Sequence, residues 1–204
     1  MLSPMLPDAL KGVKIILASK SPRRQQLIRE LGINVDYRCN GEQPETYPEH
    51  LSMTEIPVYL AEQKAKDIIP GLKRNDILIT SDTIVWCNGK IIGKPADEVE
   101  AFTILKQLSG EKHVVVTGIC FSTIKGSYSF YDCTDVYFRK LTHEEIRYYI
   151  NKYKPFDKAG AYGIQEWIGF IGVERIDGSF YNVMGLPVHK LYTELLRFYD
   201  EQFT

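Results

Sequence analysis

The chain has 204 residues, of which 44% are hydrophobic and 25% charged, a composition typical of folded globular proteins rather than disordered ones. This length is sufficient for one substantial core or for two small lobes. Because 25 Lys and Arg residues balance 26 Asp and Glu residues, the net charge is −1, and no global positive field exists for non-specific nucleic-acid binding. Any site for an anionic ligand must therefore be local.

The cysteines and the apolar segments favour a soluble protein of the cytoplasm. Cys39, Cys87, Cys120 and Cys133 are widely separated, form no C-x-x-C pair, and have no histidine at the spacing of zinc ligands. No stretch reaches about 18 continuous apolar residues, and residues 1–12 contain no signal-peptide core. We therefore expect reduced, buried thiols and no membrane partner.

In chain order, the first predicted elements are a strand and a helix joined by a short polar turn. Residues 13–17 are apolar enough for a buried strand, and residues 25–31 show a helical spacing that Gly32 ends. Ser21 and Pro22 mark the helix start, because serine is a preferred N-cap and proline is favoured at the first helical position. The exposed N–H groups of such a turn attract anions.

Arg23 and Arg24 add two guanidinium groups to this helix start. Guanidinium groups bind phosphate oxygens through paired hydrogen bonds. The helix dipole, in contrast, disfavours a cation at this position by about 0.3–1 kcal/mol. Two adjacent arginines therefore favour a phosphate-binding turn, and the alternative is an ordinary capped helix with solvated arginines.

The remaining segments alternate between helical and strand patterns. Apolar spacing and turn signals predict a strand at 35–39, a polar loop at 40–52, a helix at 54–69, a strand at 76–86, a hairpin turn at 88–89, a helix at 95–108, and strands at 113–123 and 127–138. The helix at 95–108 is expected to bury its apolar residues Val99, Phe102, Leu105 and Leu108. A capped helix from Thr142, a glycine-rich segment at 159–165, a strand at 168–175 and a helix at 187–198 follow. Because hairpins and helical crossovers both occur, we predict an α/β fold with a mixed, twisted sheet flanked by helices.

Asp82 is an acidic residue inside the most apolar predicted strand. A buried charge is costly unless a cation or a hydrogen-bond donor lies near it. Lys94, at the start of the next helix, is placed either for a structural ion pair with Asp82 or for a shared site. Glu42 and Glu45 in the polar loop, with Lys64 on the following helix, are the residue types that hold Mg²⁺ and neutralise phosphate oxygens.

Other chemistries have no support in the sequence. It contains no G-x-S-x-G elbow, Walker loop or dinucleotide fingerprint, which argues against a serine hydrolase, a kinase or a dehydrogenase. His113 and His189 are isolated, a pattern that favours uncharged histidines without a catalytic role.

Several segments, in order, resemble the motifs of the Maf family, nucleoside triphosphate pyrophosphatases once described as septum formation factors. The matching segments span about residues 14–198 and are Leu17-Ala18-Ser19-x-Ser21-Pro22-Arg23-Arg24, Leu60-Ala61-x-x-Lys64-Ala65, Ser81-Asp82-Thr83-Ile84-Val85, Gly93-Lys94-Pro95, Lys158-Ala159-Gly160-Ala161-Tyr162-Gly163-Ile164-Gln165 and Gly178-Ser179-x-x-Asn182-Val183-x-Gly185-Leu186-Pro187. The resemblance implies a single Maf-like domain over residues 1–204, with two lobes and a cleft as in inosine triphosphatases, and a homodimer.

The resemblance also implies an activity and a set of site residues. The activity is hydrolysis of a nucleoside triphosphate between the α and β phosphates with the help of Mg²⁺ or Mn²⁺. Phosphate binding falls on Ser19, Arg23 and Arg24, charge stabilisation on Lys64 and Lys94, and the role of general base on Asp82. Thr83 and Gln165 complete the predicted substrate-binding set, and Glu45 joins Asp82 in catalysis and as a metal ligand.

The chain departs from the family pattern at three places. Pro44 replaces the aspartate that usually precedes the loop glutamate, so Glu42 is an alternative to Glu45 as the metal ligand. Lys20 stands where the family more often has a small residue. Glu166 and Trp167 follow Gln165 where small residues are often found, and Trp167 is either a core residue or a surface for a stacked base.

The segment ending in Gln165 resembles the branch of the family that acts on dTTP and UTP. An amide both donates and accepts hydrogen bonds, so Gln165 matches the O4 and N3–H edge of thymine or uracil. The alternatives are 7-methyl-GTP or another non-standard nucleotide as substrate, a non-catalytic nucleotide-binding regulator of cell division, and a nucleic-acid-binding protein that uses Arg23 and Arg24. The near-neutral net charge argues against the last.

Overall fold

The computed structural model describes residues 5–38 and 46–203. The strands in these ranges are β1 (Lys14–Leu17), β2 (Val35–Tyr37), β3 (Asp76–Cys87), β4 (Lys90–Ile92), β5 (Lys112–Ser122), β6 (Ser127–Phe138) and β7 (Val173–Asp177). The α-helices are α1 (Leu6–Ala9), α2 (Pro22–Glu30), α3 (Glu55–Lys66), α4 (Glu98–Leu108), α5 (His143–Tyr153), α6 (Trp167–Gly172), α7 (Phe180–Val183) and α8 (Val188–Phe203). Short 3-10 helices lie at Ile69–Gly71 and Ala159–Ala161.

The strands form a mixed sheet. The strand order is β2-β1-β3-β5-β6-β7, and β4 pairs with β3. Strand β1 runs parallel to β2 and β3, with Ile15 opposite Val35 and Ile77, which requires helical crossovers. The β3–β4 and β6–β7 pairs are antiparallel. The predicted α/β fold with a mixed sheet is therefore confirmed.

The chain divides into two compact units. The first contains the residues up to Asp82, Thr117–Asp132 and the residues from Gly185 onward. One apolar cluster in this unit joins α3 to β1, β3 and β5 and contains Ile16, Ala61, Ala65, Ile68, Leu72, Leu78 and Cys120. Helix α3 is thus fixed by the burial of its apolar face.

The second unit contains Thr83–Val116 and Cys133–Met184. Its core brings α4 and α5 together with the glycine-rich segment that precedes α6. Tyr149 of α5 and Ala161 of the glycine-rich segment are both 0% exposed in this core. Trp167 packs against the same cluster and makes an edge contact with Tyr148, as expected of a core residue rather than a free stacking surface.

Helix starts follow the capping residues of the sequence. The side chain of Ser21 caps α2, and Thr142 caps α5 with a full capping box. Helix α4 begins later than predicted because Asp97 accepts a hydrogen bond from the backbone N–H of Glu100. Its buried face carries Ala101, Ile104, Leu105 and Leu108. Val99 lies off this face and is 75% exposed, so the prediction that it is a core residue is wrong.

The predicted strand at 168–175 is wrong in its first half. Residues Trp167–Gly172 form α6, and the strand comprises Val173–Asp177. The helical turn is closed by a hydrogen bond of 2.9 Å from the backbone N–H of Gly169 to the carbonyl of Glu166. A short apolar run is compatible with a helix or with a strand, so the spacing of the apolar residues could not distinguish the two.

The structure bears on two expectations from the sequence, which concern membrane-spanning segments and the cysteines. No helix in residues 5–38 or 46–203 combines the length and apolarity that a bilayer crossing requires. Cys87 and Cys120 are buried thiols, and burial raises the pKa of Cys87. Cys39 lies outside the described residues.

His113 is a core residue of the second unit. It is 1% exposed, its Nε2 atom lies 2.7 Å from the hydroxyl of Tyr162, and its ring contacts Phe138 and Tyr162 edge-on. Burial lowers the pKa of His113 from 6.5 to about 4. The side chain is therefore neutral near neutral pH, as expected of a packing residue.

This buried histidine predicts a pH-dependent stability. Below about pH 6.5 the unfolded chain binds a proton on His113 that the folded chain does not bind until about pH 4, so the free energy of unfolding falls as the pH falls. From about pH 7 to about pH 5 the loss from this residue is about 2 kcal/mol. Urea unfolding at both pH values measures it, and the His113→Asn variant should show a smaller drop. Equal drops in the two proteins would contradict the assignment.

Candidate active site

The turn between β1 and α2 is fixed by its own hydroxyl and carbonyl groups. Ser19, which is buried, accepts a hydrogen bond of 3.2 Å from the backbone N–H of Ser21 on its Oγ atom. Its carbonyl accepts a hydrogen bond of 2.9 Å from the side-chain amide of Gln25. The Oγ atom of Ser21 accepts the backbone N–H of Arg24, as an N-cap should. The polar turn predicted from the sequence is thus a structured helix start.

Arg24 connects this turn to two other segments of the first unit. Its Nε atom donates to the carbonyl of Gly185 at 2.8 Å, and its Nη1 atom donates to the carbonyl of Ser81 at 2.9 Å. A guanidinium group has five donors, and these two contacts occupy two of them. Ser81 directly precedes Asp82. Arg24 therefore joins the turn between β1 and α2 to the strand that carries the predicted general base. Arg23, its neighbour, is partly exposed in the first turn of α2.

Asp82 and Lys64 form a partly buried ion pair between β3 and α3. The side chain of Asp82 is 7% exposed and that of Lys64 is 30% exposed, and the Nζ atom of Lys64 donates to Oδ1 of Asp82. The expectation that a cation lies near the buried carboxylate is confirmed. Lys64 supplies this cation.

Two residues that the sequence analysis did not single out set the position of Lys64. The hydroxyl of Thr80, two residues before Asp82 on the same face of β3, donates to the carbonyl of Ala61 in α3 at 2.7 Å. Gly118 of β5 lies against the same helix, since an added Cβ would be 2.3 Å from the carbonyl carbon of Pro57. A glycine inside an apolar strand is the sequence signal that could have indicated this close approach.

The second unit contains the other predicted substrate-binding residues. Lys94 is exposed, Thr83 is partly exposed, and Gln165 is partly exposed at the end of the glycine-rich segment. The backbone N–H of Gly160 donates to the carbonyl of Gly93 at 3.0 Å, which joins the glycine-rich segment to the segment that contains Lys94. The Oε1 atom of Gln165 is buried and has no hydrogen-bond partner among the residues that the structure describes. A buried acceptor without a partner is uncommon and needs a hydrogen-bond donor that these residues do not supply.

Comparison with known proteins identifies the family. The family model described as Maf-like protein matches residues 14–198. The chain belongs to the Maf family. The span agrees with that of the motifs found in the sequence.

Curated relatives of this Maf chain share about half of its residues. A protein of Parabacteroides distasonis is 51% identical over 191 residues, covering 94% of this chain and 99% of that protein. One of Phocaeicola vulgatus is 52% identical over 188 residues, covering 92% and 97%. One of Flavobacterium johnsoniae is 49% identical over 191 residues, covering 94% and 98%. Each relative is named dTTP/UTP pyrophosphatase.

The predicted metal ligands of this Maf protein are only partly within the structure. Glu42 and Glu45 lie outside the described residues. Within residues 5–38 and 46–203, no group of three His, Cys, Asp or Glu side chains could hold a metal ion. Asp82 offers the carboxylate oxygens that Mg²⁺ and Mn²⁺ prefer.

The contact at Gly118 predicts a strong effect of adding one methyl group. In Gly118→Ala, the Cβ atom would overlap the backbone of α3, which cannot move away without disturbing the Lys64–Asp82 pair. We expect the free energy of unfolding to fall by about 1–3 kcal/mol, the usual cost of overpacking.

Gly126→Ala is the matched control for urea unfolding of this variant. Gly126 belongs to the same unit, and an added Cβ there meets nothing within 4 Å. Its unfolding free energy should change by no more than about 0.5 kcal/mol. Similar stabilities of the two alanine variants would show that α3 does not depend on the contact.

Proposed function

We propose that this Maf protein hydrolyses dTTP and UTP to the nucleoside monophosphate and pyrophosphate. The observation that carries the proposal is the ion pair of the buried Asp82 with the partly buried Lys64, beside the structured β1–α2 turn. A carboxylate in this environment suits proton transfer, and the adjacent cationic turn suits a triphosphate. The names of the curated relatives support the same activity and the same nucleotides.

Asp82 is the general base of this reaction. Lys64 binds the Oδ1 atom of the carboxylate, so we assign proton transfer to Oδ2. A water oxygen bonds to the α-phosphorus, its proton passes to Asp82, and the bond from the α-phosphorus to the bridging oxygen breaks to release pyrophosphate. Lys64 balances the charge of the carboxylate in the resting enzyme and neutralises phosphate oxygens as charge develops.

The β1–α2 turn holds phosphate oxygens. The guanidinium group of Arg23 provides donors, the positive end of the α2 dipole favours an anion, and Ser19 shapes the loop before them. Arg24 fixes this turn to the strand of Asp82 through its two carbonyl contacts, and we assign it to phosphate binding together with Arg23. We also assign Lys94 and Thr83 to substrate binding.

A divalent metal ion, Mg²⁺ or Mn²⁺, is the proposed cofactor. Asp82 and Glu45 would hold it, with Glu42 as the alternative loop ligand. When bound, such an ion neutralises charge on the phosphate oxygens.

Gln165 selects the pyrimidine. Its buried Oε1 atom would accept the N3–H of thymine or uracil, while its NH₂ group donates to O4. Cytosine presents an amino donor and a ring-nitrogen acceptor at these positions. The donor would face the NH₂ group of Gln165, and the acceptor would face its Oε1 atom. This complementarity predicts discrimination against dCTP.

The decisive experiment is pyrophosphate release by the wild-type chain and by Asp82→Asn. The substitution keeps the size of the side chain and removes its charge, so we expect turnover of dTTP and UTP to fall by about 10²–10³-fold or more. The nucleotide panel includes dTTP, UTP, CTP, the purine triphosphates and 7-methyl-GTP, with Mg²⁺ or Mn²⁺.

Each result of this panel has a distinct meaning. Retained turnover by a folded Asp82→Asn protein would overturn the assignment of the base. A preference for 7-methyl-GTP would overturn the pyrimidine selectivity and leave the mechanism intact. Binding of nucleotides without turnover of any of them would indicate a regulator instead of an enzyme.

The role of Gln165 is tested by removing its donor alone. In Gln165→Glu the side chain keeps its size but can no longer donate to O4 at neutral pH. We expect kcat/KM for dTTP to fall about 10-fold or more, the cost of leaving one hydrogen bond of the base unmade. Gln107→Glu, an exposed position in the same unit, is the control and should retain wild-type kinetics. Equal kinetics for the two variants would remove Gln165 from the site.

A further inference from the structure

The segment that precedes Gln165 is held by a polar network inside the second unit. The hydroxyl of Tyr149 accepts a hydrogen bond of 2.9 Å from the backbone N–H of Gly163 and donates its own proton to Oε2 of Glu166. The other carboxylate oxygen of Glu166 lies 3.3 Å from the Nζ atom of Lys158. The network therefore links α5 to both sides of Gln165.

This network is shielded from solvent. Tyr149 is 0% exposed, and the side chains of Lys158 and Glu166 are 9% and 19% exposed. Burial and the carboxylate of Glu166 raise the pKa of the Tyr149 phenol far above its ordinary range. The hydroxyl is therefore protonated near neutral pH and donates a hydrogen bond to Glu166.

Close backbone contacts fix the same turn. An added Cβ at Gly163 would be 2.7 Å from the carboxyl carbon of Glu166, and one at Gly169 would be 1.8 Å from the carbonyl oxygen of Ile164. The backbone N–H of Glu166 also donates to the carbonyl of Gly163 at 2.9 Å. Gly169 is required because the backbone carbonyl of Ile164 occupies the space of a Cβ, and a Cβ at Gly163 would displace the carboxyl group of Glu166.

We propose that Glu166, acting through Tyr149, is a positioning residue that orients Gln165 for recognition of the uracil or thymine ring. The inference rests on the proposed function, because Gln165 must bind the base. Burying a charged carboxylate and a lysine is costly, and apolar side chains of similar volume would pack as well. The charged network instead fixes the direction of the Gly163–Glu166 turn. It thereby fixes the direction of the side-chain amide of Gln165 within that turn.

Tyr149→Phe and Glu166→Gln test this role. The first keeps the ring and removes both hydrogen bonds of the hydroxyl, and the second keeps the shape of the carboxylate and removes its charge. For each variant we expect KM for dTTP and UTP to rise about 10-fold with little change in kcat, because the chemistry at Asp82 is unaffected. The ratio of kcat/KM for dTTP to that for dCTP should fall by a similar factor.

The two control variants make the same chemical changes elsewhere in the second unit. Tyr148→Phe removes the hydroxyl of the neighbouring tyrosine, which is 45% exposed and binds Lys152. Glu98→Gln removes the charge of an exposed glutamate that pairs with Lys154. Both should retain the KM and the nucleotide preference of the wild type.

The outcomes separate positioning from stability and from the proposed function itself. A purely structural role would lower kcat for all nucleotides in proportion to the folded fraction and leave KM and the dTTP-to-dCTP ratio unchanged, which would overturn the proposal. If Tyr149→Phe does not fold, Glu166→Gln alone decides by the same measures. Absence of turnover by the wild type on every nucleotide would overturn the proposed function and this role together. Selective wild-type turnover with an unchanged ratio in the folded variants would overturn this role only.

Discussion

The ion pair between Asp82 and Lys64 is the interaction on which the first unit depends. A carboxylate that is 7% exposed needs a partner, and the lysine that supplies it comes from a separate helix. Thr80 binds that helix from the strand of Asp82, and Gly118 lets it approach the sheet at backbone distance. The packing of α3 and the chemistry of Asp82 are therefore set by one arrangement of residues.

Arg24 has a structural role in addition to the phosphate binding that its charge predicts. At the start of a helix an arginine opposes the helix dipole, which favours an anionic partner. The folded chain also uses two of its donors to join the turn to Ser81 and Gly185. A substitution at Arg24 would consequently change both the placement of Asp82 and the phosphate site.

The second unit places a charged network where the sequence suggests only glycines and an amide. The tight contacts at Gly163 and Gly169 bring Glu166 next to the phenol of Tyr149. Rigid placement of a base-reading side chain requires that its backbone have no alternative direction. The hydrogen bond from Gly163 to Tyr149 supplies this constraint two residues before Gln165.

The sequence by itself determined the local structure and the chemical types of the site residues. Caps such as Ser21 and the period of the apolar residues act within one or two turns, so they are readable from the chain. Only the tertiary structure decided that Lys64 is the partner of Asp82 and that residues 167–172 form a helix. Residues that are distant in the sequence come together only through tertiary packing. A short apolar run does not show whether it forms a helix or a strand. For the same reason, no sequence pattern predicts the hydrogen bond from the hydroxyl of Tyr149 to the carboxylate of Glu166.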